Sequence, residues 1–183
     1  EAVVIGIVAR MQTHRHYEDL FEAMHRLAEE FPSVHLVVVG RGTHQEKVGF
    51  EPVRRFGLVD RVHFTGFIDG DIFTGMLQAF DVGVFLVPGS DGTCRAAREI
   101  LAMGKPLVVA DRGMLREIVD HDTDGLVFDG SAEGLYRALR RYVADGALLR
   151  EHGAAARRIS EERYGLDRQA SQVRALYNRI LGR

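Results

Sequence analysis

The sequence has a single cysteine, Cys94, and no tryptophan. One cysteine excludes an internal disulfide framework, and we expect a reducing, cytoplasmic location. No apolar run approaches the ~20 residues that a helix needs to span a bilayer. We also expect no signal peptide, because no such pattern is visible. The sequence therefore predicts neither membrane insertion nor a disulfide-stapled secreted domain.

Lysine is also scarce. Of the 24 lysine and arginine residues, only Lys47 and Lys105 are lysines. The arginines are spread over every predicted helix, as a coding bias would spread them, and do not gather in one patch. The formal net charge is −2, which gives no reason to expect a nucleic acid or an anionic membrane as partner.

Short runs of β-branched residues alternate with stretches of helical periodicity, which is typical of a parallel sheet with crossover helices. The predicted strands are Val3–Val8, His35–Val39, Val62–Phe64, Val82–Leu86, Leu107–Ala110 and Gly125–Val127. Three helices are predicted after them, at Ser131–Ala144, with Ser131 as its cap, and at Gly146–Ile159 and Leu166–Leu181. The sequence therefore predicts an α/β fold. It is one Rossmann-like three-layer α/β/α domain over residues 1–183, with a mostly parallel sheet of about six strands plus C-terminal helices.

Glycines follow several predicted strands, at the points where the strands give way to loops. They are Gly40, Gly42, Gly66, Gly89, Gly92 and Gly113. Because ligands of open parallel sheets bind at the carboxyl ends of the strands, we expect these turns to converge on one crevice.

The segment from Asp91 to Pro106 carries the most informative chemistry. Asp91 stands in a loop before a glycine turn, and a second carboxylate, Glu99, follows eight residues later inside a predicted helix. Backbone N–H groups of such a loop, together with the helix N-terminus, suit a phosphate. Carboxylates accept hydrogen bonds from sugar hydroxyls or from a ribose diol. The alternative is an ordinary loop-to-helix junction, with Asp91 as a cap and Glu99 on a solvated face.

The spacing of Asp91 and Glu99, followed by Ala102-Met103-Gly104-Lys105-Pro106, resembles the paired-carboxylate signature of family 4 retaining glycosyltransferases. These are group 1 glycosyl transferases of GT-B architecture. Further segments resemble family elements in the same order along the chain: Gly6–Met11 with Arg15, Val37–Gly42, Val62–Phe67, Phe80–Pro88, and Gly113 with Arg116–Val119. The resemblance covers almost the whole sequence and implies the C-terminal, nucleotide-sugar-binding domain of such an enzyme.

The resemblance implies that Arg10 and Arg15 face the diphosphate of a nucleotide-sugar donor. Cations there stabilise the charge that develops on the departing nucleotide. Glu99 would hold the ribose hydroxyls, and Arg95, at the start of the same helix, is a candidate phosphate contact. Main-chain groups around Gly66 and Phe67 would meet the nucleobase.

The transferred sugar would be held by Asp91 and by backbone groups of Gly92, Thr93 and Cys94. Asp91 is one methylene shorter than the glutamate usual in the family. Thr93 and Cys94 stand where the family has an aromatic residue and a glycine, and a side chain at position 94 is strained if the backbone there needs a positive φ.

For a full enzyme, the resemblance implies sugar transfer to an acceptor hydroxyl with the anomeric configuration retained and without a catalytic metal. We expect neither a metal nor another cofactor, because His14 and His16 have no third ligand at a recognisable spacing. The N-terminal acceptor domain would be absent from this chain, which starts with a strand and no initiator methionine. We therefore expect the isolated fragment to be inactive. A dimer through the uncovered apolar face of Leu166–Leu181 would be a product of truncation.

Two other interpretations stay open. The first is the donor half of a related sugar-nucleotide epimerase or phosphorylase. The second is a non-catalytic module that binds a nucleotide or a phosphate. The nucleobase, the sugar and the acceptor also stay open.

Overall fold

The structure is a computed structural model, and it describes residues 2–88 and 94–182. Its sheet consists of β1 (Val3–Val8), β2 (Val34–Val39), β3 (Val62–Gly66), β4 (Val82–Phe85), β5 (Leu107–Ala110) and β6 (Gly125–Phe128). All neighbouring strands pair in parallel, in the order β3-β2-β1-β4-β5-β6. The predicted α/β fold is confirmed. β1 and β5 have the predicted bounds, and each of the other four strands differs from its prediction at one end by one or two residues.

Helices connect the strands and cover both faces of the sheet, as the consecutive apolar positions of the strands require. They are α1 (Tyr17–Glu30), α2 (Glu51–Arg55), α3 (Gly70–Ala79), α4 (Arg95–Ala102), α5 (Leu115–Ile118), α6 (Ala132–Ala144), α7 (Gly146–Tyr164) and α8 (Leu166–Leu181). A single 3-10 turn, Thr13–Arg15, precedes α1, and a π-helical stretch, Glu46–Phe50, leads into α2.

The C-terminal helices agree with the prediction except at the end of α7. The predicted cap of α6 is confirmed, because Ser131 precedes the helix and its hydroxyl accepts the amide N–H of Gly134 at 2.9 Å. α7 continues past the predicted Ile159 to Tyr164. Arg163 in its last turn forms an ion pair with Asp120, which lies between α5 and β6.

Two buried clusters flank the sheet, one on each face. A close approach in the second cluster explains a glycine inside β1. A Cβ on Gly6 would lie 2.1 Å from the ring of Phe80, which is itself fully buried. The chain runs from β1 outward to β3 and then crosses to β4 on the other side of β1. This reversal of strand order is the place where open sheets bind ligands.

The last helix, α8, differs from the others because none of its residues is buried. Its exposed apolar side chains are Leu166, Val173, Leu176, Tyr177, Ile180 and Leu181. Within residues 2–88 and 94–182, no helix has the length and apolarity that a bilayer crossing requires.

Candidate functional site

A cavity of about 1070 Å³ lies at the carboxyl edge of the sheet. It is bounded by the residues that follow β1, β2 and β3, by the end of β4 and by the first turn of α4. It therefore lies beside the strand-order reversal between β1 and β4. The predicted site residues that line it are Arg10, Arg15, Phe67, Cys94, Arg95 and Glu99.

Arg15 joins two loops that are distant in the sequence. Its Nη1 donates a hydrogen bond of 2.8 Å to the carbonyl of Pro88, which follows β4. Its Nε is buried and has no hydrogen-bond partner among the described residues. A buried donor without an acceptor costs about 1–3 kcal/mol. The cavity wall thus contains a cation with an unused donor.

Tyr17 holds the loop that carries Arg15 in place through a hydrogen bond. The Tyr17 hydroxyl donates to the carbonyl of Ala9 at 3.1 Å. Burial raises the pKa of Tyr17, and the nearby charge of Arg15 opposes that rise. A tyrosine held neutral in this way stays a hydrogen-bond donor, so the loop between β1 and α1 is fixed at both of its ends.

Positive charge predominates around the cavity. Arg10 and Arg41 are exposed residues at the ends of β1 and β2, and both line the cavity together with Arg15. The N-terminus of α4, the positive end of its helix dipole, adds to the positive charge of these side chains. Among the described lining residues, the carboxylates are Asp69 and Glu99. This distribution favours an anionic ligand with several negative oxygens.

Cys94 precedes α4 with a backbone φ of 46° and ψ of 48°, in the left-handed region. Its side chain is buried, and it is one of the few non-glycine residues with positive φ in the structure. The backbone of Cys94 therefore carries the strain expected for a side chain at positive φ, which is about 1–2 kcal/mol. Amide hydrogen bonding within α4 begins with Ala97, which donates to the Cys94 carbonyl at 3.0 Å.

Glu99 lies one turn into α4 and forms an ion pair on its own helix. The Arg95 Nε donates to Glu99 Oε1 at 2.7 Å. The Glu99 side chain is 29% exposed and that of Arg95 is 81% exposed. An exposed pair at this spacing contributes only about 0.3–0.5 kcal/mol. Its main effect is to fix the direction of the Glu99 carboxylate at the cavity wall.

The remaining predicted residues are placed differently. Gly66 ends β3 with a φ of 70° and accepts the amide N–H of Gly40 at 2.9 Å, but it does not line the cavity. Asp91, Gly92 and Thr93 lie outside the described residues.

No group of three or more histidine, cysteine or acidic residues that could hold a metal ion occurs in residues 2–88 and 94–182. His14 and His16, which flank Arg15, belong to this described part of the chain.

Several lining residues were not among the predicted site residues. Arg41 and Asp69 lie in the loops that follow strands β2 and β3, so the rule that ligands meet the carboxyl ends of strands could have found both. Phe73 is half-buried and lines the cavity as well as packing on the second cluster. Gln12, Thr43 and Gln45 have no sequence signal that separates them from other polar loop residues.

Comparison with known proteins gives the family. Residues 1–159 match the family model for glycosyl transferases group 1. The lipopolysaccharide core biosynthesis mannosyltransferase LpcC of Rhizobium leguminosarum bv. viciae is 32% identical, over 98% of this chain and 51% of that protein. The chain spans about half the length of the curated relatives it matches.

Solved structures share the fold. Anabaena HepE in complex with UDP superimposes with a TM-score of 0.84 at 22% identity, over 97% of this chain and 49% of that one. The C-terminal domain of the group 1 glycosyl transferase LpcC from Francisella tularensis gives a TM-score of 0.80 at 21% identity, over 90% and 87%. The family model covers most of the sequence and the sheet has the corresponding fold, so the chain belongs to the glycosyl transferases group 1.

Proposed function

We propose that residues 1–183 form the C-terminal, donor-binding domain of a family 4 retaining glycosyltransferase of GT-B architecture. The observation that carries this proposal is the Arg15 guanidinium, which lines the cavity and whose buried Nε has no hydrogen-bond partner among the described residues. A donor diphosphate supplies the acceptors that this group lacks. The full-length enzyme would transfer the sugar to an acceptor hydroxyl with the anomeric configuration retained.

The diphosphate would lie between Arg10, Arg15 and the N-terminus of α4. Guanidinium groups bind phosphate oxygens through charge-assisted hydrogen bonds, which are about twice as strong as neutral ones. The same groups stabilise the negative charge that grows on the nucleoside diphosphate as the glycosidic bond to the sugar breaks. Because fixed cations do this work, we propose that the donor binds without a metal or other cofactor.

The other parts of the donor would extend to either side of the diphosphate. Glu99, held in place by Arg95, would accept hydrogen bonds from the ribose diol. The sugar would be held by Asp91, Gly92, Thr93 and the backbone of Cys94, an assignment that the resemblance supports. The base would lie toward Gly66 and Phe67.

The acceptor domain would cover the exposed apolar face of α8. Two observations support this: the chain spans about half of its curated relatives, and Leu166 and Ile180 are 81% and 69% exposed. Without that domain, we expect little transferase activity and self-association through α8. We also propose a cytoplasmic location, with which a lone, buried cysteine agrees.

Isothermal titration of this chain with UDP, GDP and ADP, and with their sugar conjugates, tests the proposal. We expect at least one nucleoside diphosphate to bind. Glu99→Ala should weaken both the nucleotide and the sugar nucleotide, because it removes the ribose acceptor. Asp91→Ala should weaken only the sugar nucleotide. Equal affinities in the wild type and both variants would refute the site assignment.

A further inference from the structure

The cavity end beyond Gly66 carries an aromatic ring and a carboxylate side by side. Phe67 is 65% exposed, and the Arg41 guanidinium lies 5.6 Å from the centroid of its ring. Asp69 is two residues further along, in extended backbone with φ −143° and ψ −178°. All three residues line the cavity. A planar group that enters this end therefore meets a ring, a guanidinium and a carboxylate.

The carboxylate of Asp69 makes no structural contact of the kind expected for its position, as far as residues 2–88 and 94–182 show. Asp69 is the N-cap residue of α3, where an aspartate normally accepts an amide N–H of the first turn. Here its side chain makes no such bond, and it forms no hydrogen bond or ion pair within residues 2–88 and 94–182. The other described carboxylate of the cavity, Glu99, is paired with Arg95. Asp69 thus has both oxygens available as acceptors.

We propose that Asp69 selects guanine, so that the donor is a guanosine diphosphate sugar. This inference rests on the proposed donor site. Guanine presents two adjacent donors, N1–H and the N2 amino group, which match the two oxygens of one carboxylate. The ring of Phe67 and the guanidinium of Arg41 supply flat surfaces for the purine.

The other common bases fit this carboxylate less well. Uracil offers one N3–H between two carbonyl oxygens, and those oxygens would face the negative charge of Asp69. Adenine places its amino group next to N1, an acceptor, so only one bond forms. A matched bidentate contact discriminates between bases by about 1–3 kcal/mol. Because Asp69 is exposed, we take the low end of that range, which is about a five- to tenfold preference.

Titration of this chain with GDP, UDP and inosine diphosphate tests the assignment. Inosine diphosphate keeps N1–H but lacks the 2-amino group, so its affinity should fall between the other two. Asp69→Asn should weaken GDP binding by about five- to tenfold and leave UDP binding unchanged or stronger. Asparagine is also a good N-cap residue, so α3 should stay intact. Asp71→Asn is the matched control, because Asp71 lies in the first turn of α3 but does not line the cavity.

The outcomes separate this inference from the proposed function. A GDP preference that Asp69→Asn removes and Asp71→Asn retains supports it. Equal binding of GDP and UDP by the wild-type chain, or a preference that survives in Asp69→Asn, overturns the guanine assignment and leaves the donor site standing. Absence of binding by every nucleotide overturns both proposals.

Discussion

Replacing Arg15 by alanine should separate donor binding from folding. The variant loses the bond from the charged guanidinium to the Pro88 carbonyl, which costs about 1.5–3 kcal/mol. It also removes a buried donor that has no partner among the described residues, which relieves about 1–3 kcal/mol. These changes largely cancel. We therefore expect the melting temperature to change by no more than about 4 °C.

Donor affinity should change far more than stability. Loss of a charge-assisted hydrogen bond to phosphate costs about 1.5–3 kcal/mol, which corresponds to roughly 10- to 150-fold weaker binding. Arg15→Lys should lie in between, because it retains the charge but not the forked set of donors. Isothermal titration with a nucleoside diphosphate gives the affinity, and a thermal melt of the same sample gives the stability.

Arg168→Ala is the control for this experiment, because Arg168 is an exposed arginine on α8 and does not line the cavity. The reasoning would be refuted if Arg15→Ala bound nucleotide within about twofold of the wild type. It would also fail if the variant unfolded at a much lower temperature, since Arg15 would then be a structural residue.

Three other changes test the fold. Gly6→Ala should destabilise the protein by about 1–3 kcal/mol in urea unfolding, because the added Cβ would overlap the Phe80 ring. The control Gly75→Ala should stabilise the protein slightly, because a Cβ there meets open space. Equal effects of the two substitutions would contradict this packing. Burial raises the pKa of Asp124, so its contribution to stability is greatest below the unfolded pKa and is lost as pH rises through the folded pKa. Asp124→Asn should therefore gain stability relative to wild type in thermal melts from about pH 4 to about pH 8, and parallel curves would contradict this. Ile180→Glu should reduce self-association in light scattering without lowering the melting temperature, since Ile180 is exposed; a lower melting temperature would show that α8 packs in the monomer.

The layered fold was predictable because its signals are local. Consecutive apolar residues such as Leu36–Val39 identify a strand covered on both faces, and helical spacing of apolar residues identifies α6 to α8. Helix ends were less predictable, since a pattern of apolar residues does not report hydrogen bonding. Thus α7 continues past the predicted Ile159 to Tyr164. The cap of α6 was predictable, since serine is a preferred N-cap residue and Ser131 takes that position.

The sequence by itself determined the parallel α/β layers, because strands and helices follow from local periodicity. Its resemblance to family 4 glycosyltransferases indicated the site residues, and six of those ten line one cavity. The tertiary structure alone decided which groups meet there. Arg15 reaches Pro88 across 73 positions of sequence because β1 and β4 are neighbours in the sheet, and strand order has no local signature. Asp69 likewise has no local sequence signature, because its carboxylate is one of many in the sequence. Only its position at the cavity wall of the folded chain, with no partner among the described residues, makes it a candidate for reading a base.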